Sequence, residues 1–173
     1  MIYAVYIISK SGSLLYHKCN LNNTPNTLAS LDSNDHLVMA SNLHSIHAIA
    51  SKLARTSQAP PNASIPSSLP GNRSGLKRVR TDLFDIILHQ TVTGLKIVLV
   101  VSKNNQDNLG HGPNVSTDTA NNYNYNTIDT DDYAPQIKKI YSLYSDYVLK
   151  NPFYLLDMPI RIPMFDTSID SIW

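Results

Sequence analysis

The stretch that decides the fold comes first: MIYAVYIISKSGSLLY, residues 1–16. Between residues 3 and 8 both alternating sets are apolar, with Tyr3, Val5 and Ile7 on one side and Ala4, Tyr6 and Ile8 on the other. A strand that keeps water off both faces belongs in the middle of a sheet with layers above and below it. Lys10-Ser11-Gly12-Ser13 carries the chemistry of a reversing turn, and Leu14, Leu15 and Tyr16 continue as a second, antiparallel strand. The chain opens with a hairpin.

From Asp32 the sequence offers cap residues (Asp32, Ser33, Asn34, Asp35) and then HLVMASNLHSIHAIASKLAR in a helical pattern. At about 100° per residue, Val38, Met39, Leu43, Ile46, Ile49, Ala50 and Leu53 fall on one side and Ser41, Ser45, Ser51 and Lys52 opposite. The expectation is a helix laid on the sheet by that apolar side. Residues 56–74 hold four prolines with serine, asparagine and glycine, and read as a mobile loop. Three strand signals follow. LKRVR (76–80) suits a short edge strand guarded by Lys77, Arg78 and Arg80, and LFDIILH (83–89) and LKIVLVV (95–101) suit inner strands.

Residues 102–132 are rich in asparagine, threonine and aspartate without a period, and read as a second mobile loop. A second helix starts near Ala134-Pro135 and runs through QIKKIYSLYSDYVLK. Its apolar residues span roughly 160°, against ~100° for a helix with one buried stripe, so it is expected to bury two flanks. NPFYLLDMPIRIP (151–163) is then extended and apolar, and a last helix begins near Met164. The order is β-β-α-β-β-β-α-α, in a single domain over residues 1–173. At 42% hydrophobic, the chain has material for one sizeable core.

Composition narrows function. Fourteen basic against 13 acidic residues give a formal charge of +1, too little field to collect polyanions, which argues against nucleic acid as a partner. The single cysteine, Cys19, has no internal partner, and the sequons at Asn22, Asn62, Asn72 and Asn114 fall in Asn-rich stretches, so a reducing, cytosolic setting fits. The N-terminus is apolar for only about seven residues, short of a signal peptide or a membrane span.

The search for chemistry returns little. His44 and His47, with Cys19 or His36 as further ligands, make the best metal-like group, but a structural role weighs more. No GxSxG elbow links a serine to a histidine, and no Gly-rich strand-to-helix turn is present to cradle phosphate, so neither a catalytic residue nor a cofactor is expected. Lys77, Arg78 and Arg80 could meet lipid headgroups, though edge protection is the plainer reading. For Tyr141, Tyr144 and Tyr147 three roles stay open: core, partner surface or pocket. The mixed polar and apolar groups at Tyr144, Asp146, Tyr147, Lys150, Asn151, Pro152, Phe153, Tyr154, Pro159 and Ile160 are expected to form a partner-contact surface.

Four blocks carry a family resemblance: AVYIISKSGSLLY, LVMASNLHSIHAIASKL, TDLFDIILHQTVTGLKIVLVV, and IKKIYSLYSDYVLKNPFYLLDMPIRIPMFD with its YSDYVLKNPFY and MPIR strings. Together they resemble the synbindin subunit of TRAPP, in the fungal-like form. The resemblance implies a longin (SNARE-like) α+β fold on a five-stranded mixed sheet, with one helix on one face and two on the other. It also implies partners: a second longin-fold subunit, palmitoyl-pocket subunits, and the Rab GTPase acting between endoplasmic reticulum and Golgi, whose exchange of nucleotide the assembled complex would promote. The setting implied is cytoplasmic, peripheral to Golgi and ER-Golgi membranes, and the role non-catalytic. Another longin-type module, such as a vesicle-coat small subunit, is the alternative. Some synbindin proteins insert a PDZ-like domain where only residues 19–35 stand here, so peptide binding of that kind is not implied. Relatives close with a longer helix than the residues after the MFD string allow, which leaves the last helix short.

Overall fold

The computed structural model describes residues 1–20, 30–56, 75–103 and 132–173. The loops expected over 56–74 and 102–132 lie outside the described residues except at their ends, as do all four sequons. Five strands, β1 (Ile2–Ile8), β2 (Leu14–Cys19), β3 (Arg78–Arg80), β4 (Phe84–Gln90) and β5 (Lys96–Ser102), form one sheet in the order β2-β1-β5-β4-β3. Three helices join it: α1 (Ser33–Thr56), α2 (Ala134–Tyr144), continued by a π-helical turn at Ser145–Leu149, and α3 (Pro163–Asp170).

The element order is as expected, but the sheet is antiparallel throughout rather than mixed. The reason lies in the crossover. α1 connects β2 at one edge to β3 at the other, so these two strands, which run the same way, are never neighbours. The central pair is β1 and β5, with Tyr6 opposite Val98 and Ile7 opposite Ile97. Every residue from Ala4 to Ile8 and from Ile97 to Val100 has no exposed surface. That is what apolar residues at both parities require.

Parity sorts the core into two layers. Ala4, Tyr6, Ile8, Leu88, Val98 and Val100 meet α1, whereas Val5, Ile7, Ile87, Ile97 and Leu99 meet α2 and α3. Ile2 joins the second layer despite its even number, because the β1–β5 register shifts between Ile2 and Ala4. On this side the helices follow the i, i+3, i+4 rule: Ile137, Ile140, Tyr144 and Val148 are buried in one line. α3 is short but firmly held. Phe165 is fully buried edge-on to Tyr16 at 4.9 Å, Tyr16 Oη donates to Asp166 Oδ1 (2.7 Å), and Lys18 Nζ reaches Asp166 O (2.9 Å) and Asp170 Oδ1 (2.6 Å).

α1 departs from expectation. The residues that dock it are His36, Ala40, Leu43 and His47, while Val38 (57% exposed), Ile49 (60%) and Leu53 (66%) face outward, as does Ile46. Polar anchors set this rotation. Burial pushes the Tyr6 hydroxyl well above its usual range, and it shares a hydrogen bond with His36 Nδ1 at 3.0 Å. His47 Nδ1 donates to Leu76 O (3.2 Å), and its other nitrogen meets the Gln90 side-chain amide, which presents its NH2 when the ring carries one proton. Gly75, at φ +97°, lets the chain pass so near that a Cβ would come within 2.5 Å of His47 Cε1.

His47 is hydrogen-bonded, His44 packs where a Cβ on Gly12 would lie 3.0 Å from its ring, and among the described residues no group of three or more His, Cys, Asp or Glu is placed to hold a metal. Arg78 is tied to the fully buried Asp85 across β3 and β4, which removes it from a lipid-facing trio.

Candidate functional site, an exposed apolar surface

The site begins where α2 ends. After Tyr144 the helix widens: Lys150 N bonds Ser145 O at 3.2 Å, five residues back, and Asn151 N bonds Val148 O at 3.2 Å. Asn151 then turns the chain, its Oδ1 accepting from Phe153 N (3.0 Å) and its carbonyl from Tyr154 N (3.1 Å). Tyr154 Oη donates to Met158 O (2.8 Å), and its hydroxyl is pushed up to about 12, first by burial and then by Tyr144 and Asp157. Asp157 sits at φ 67°, the left-handed region. Finally Ile160 N bonds Leu15 O at 2.8 Å, strapping the segment to the outer edge of β2.

Anchored at both ends, this strap displays its apolar residues. Phe153 is 90% exposed and Leu156 80%, with Leu149, Leu155 and Met158 about half exposed or more. Fully burying one such side chain is worth about 1.5–3 kcal/mol, a gain this fold leaves untaken. Contiguous exposed apolar surface of this kind marks an interaction site more often than chance.

The residues expected to form a contact surface divide in three. Asp146, Lys150, Pro152, Phe153 and Pro159 are exposed, and the first two form an ion pair at 2.6 Å. Tyr147, Asn151 and Tyr154 are half-buried. Tyr144 and Ile160 belong to the core and offer nothing outward, a correction. Tyr144 continues the buried line of Ile137 and Ile140, and Ile160 follows its backbone bond inward. Leu149, Leu155, Leu156 and Met158 were missed, although the last three stand inside the quoted NPFYLLDMPIR string. The α1 stripe of Val38, Ile46, Ile49 and Leu53 is a second exposed apolar surface, on the opposite face of the sheet. Sequence reasoning had found these residues and assigned them inward.

An antiparallel five-stranded sheet with one helix on one face and two on the other is the architecture of a longin-type α+β domain. Residues 2–112 and 122–173 match the Sybindin-like family, and the chain belongs to it. It is 31% identical over 173 residues to trafficking protein particle complex subunit 4 of Dictyostelium discoideum, covering 99% of this chain and 95% of that protein. The subunits 4 of Homo sapiens and Mus musculus are each 33% identical over 141 residues, covering 80% of this chain but 46% of theirs. The chain thus spans about half the length of these mammalian relatives. No helix among the described residues is long and apolar enough to cross a membrane.

Proposed function

We propose that this chain is a subunit of a trafficking protein particle complex, supplying contact surface and no reacting group. The observation that carries the reading is the match along nearly the whole of both chains to the Dictyostelium subunit 4. Partners in this reading are other subunits of the complex, among them a second longin-fold subunit and palmitoyl-pocket subunits, and a Rab GTPase of the early secretory pathway. The two apolar surfaces, on opposite faces of the sheet, suit a chain that is held from two sides.

The assembled complex acts as a nucleotide-exchange factor in endoplasmic reticulum to Golgi transport. Exchange of this kind needs no covalent step. A surface that binds the nucleotide-free GTPase more tightly than the GDP form must, by reciprocity, weaken GDP binding by the same factor. Attachment to Golgi and ER-Golgi membranes is then peripheral, through the complex.

Affinity purification of the tagged chain from its own cells tests this. Recovery of the other complex subunits, and faster GDP release from the cognate Rab by the purified assembly, are the expected results. Recovery of vesicle-coat subunits in their place, or GDP release unchanged by depleting the chain, would overturn the proposal.

A further inference from the structure

α2, its π-helical turn and the turn joining β4 to β5 enclose a cavity of about 470 Å³. Its walls are His89, Val92, Ile137, Tyr141, Ser142 and Ser145, with Lys138 and Asp146 beside them. The volume lies in the range of small-molecule sites, about 300–1,000 Å³.

The polar groups in this cavity are left open. His89 is 4% exposed, and its ring has no hydrogen-bond partner among the described residues, unlike His36 and His47, which are equally buried and bonded. Desolvation lowers its pKa, so near neutral pH the ring offers one N–H and one lone pair. The ring lines the cavity and its nitrogens stay reachable from it, so water or a ligand can meet them there. Ser142 and Ser145 repeat the theme. The hydroxyls of Ser41, Ser45, Ser51, Thr167 and Ser168 return to carbonyls three or four residues back on their helices, and those of Ser142 and Ser145 do not. Ser145 also opens the π-helical turn, a distortion frequent at functional sites.

Charge selects the ligand class. Of the two charged residues on the rim, Asp146 is held by Lys150 at 2.6 Å, while Lys138 is exposed with no ion pair among the described residues, which leaves its ammonium to meet an anionic group. Val92, Ile137 and the Tyr141 ring supply an apolar lining. We propose that this cavity binds a small organic carboxylate with an apolar body: the carboxylate accepts from Lys138, the serine hydroxyls and the His89 N–H, while the body rests on Ile137, Val92 and Tyr141. The cavity shares Asp146 with the expected contact surface but none of the strap or the α1 stripe, and the isolated chain tests it apart from complex membership.

The probe is 4-phenylbutyrate, titrated into the full chain while the His89 ring protons are followed by NMR. A saturable shift is expected, with a Kd on the order of 0.1–1 mM for a ligand of this size. Lys138→Glu weakens binding at least about tenfold. Ser142→Trp, at an exposed helix position, fills the cavity and abolishes binding without changing the melting temperature. The uncharged 4-phenylbutanol binds about tenfold more weakly. Absence of a saturable shift at His89, binding that survives Ser142→Trp, or equal affinity for the alcohol would each overturn the proposal.

Discussion

The two faces of the sheet hold their helices by different means. On the α2 and α3 side, apolar periodicity and burial agree: Ile137, Ile140, Tyr144, Val148, Phe165 and Ile169 all point inward. On the α1 side they disagree, because docking rests on Ala40, Leu43 and two hydrogen-bonded histidines, while Leu37, Val38, Ile46, Ile49 and Leu53 face out. Within this chain the α1 stripe is left to water, which suits the proposed role as a surface that a partner covers. The difference separates core from interface more sharply than composition can.

The comparison is most readily broken on the core side. Phe165→Ala empties a fully buried site against Tyr16 and is expected to cost about 3–5 kcal/mol in denaturant unfolding. A loss under about 1 kcal/mol would mean that α3 is an ornament. Next in size is Gly75→Ala, which places a methyl group against His47 and strains a left-handed residue, at roughly 1–3 kcal/mol. A loss under about 0.5 kcal/mol would contradict both the close passage at His47 and the left-handed backbone there.

A smaller effect follows from pH. Burial lowers the pKa of His89 and of His17 in the fold, so the unfolded chain takes up protons there that the folded chain refuses. Stability is then full above the unfolded value of about 6.5 and falls as pH drops below it, until the folded values are reached. Melts between pH 7.5 and 5 read this directly, and His89→Leu should flatten part of the slope. Smallest of all for the isolated chain is Phe153→Ser, expected to change stability by less than about 0.5 kcal/mol because the ring touches mainly water. A larger loss would place the strap in the core.

Much of this was legible from residues alone. Double-parity strands at β1 and β5, the Pro135 helix start and the element order need only local pattern. What escaped was orientation. The apolar stripe of α1 was plain in the sequence, but its target was not, since a pattern records that a face is apolar and not which chain covers it. A structural role for His36 and His47 outweighed a metal site in the sequence, but their hydrogen-bond partners, Tyr6, Leu76 O and Gln90, could not be named because they are distant along the chain. Antiparallel pairing throughout depended on which edges β2 and β3 reach, a property of topology. The strap was half visible: its apolar string could be read, while the Ile160 bond that turns one end inward could not.

The most direct test sets Ile49→Asp on α1 against the wild-type chain, with stability of the isolated chain and recovery of complex partners measured side by side. The structure predicts a stability change within about 0.5 kcal/mol, since the side chain is already 60% exposed, together with at least a tenfold loss of partner recovery. Undiminished recovery, or a stability loss matching that of Phe165→Ala, would contradict the account of α1 as an interface helix.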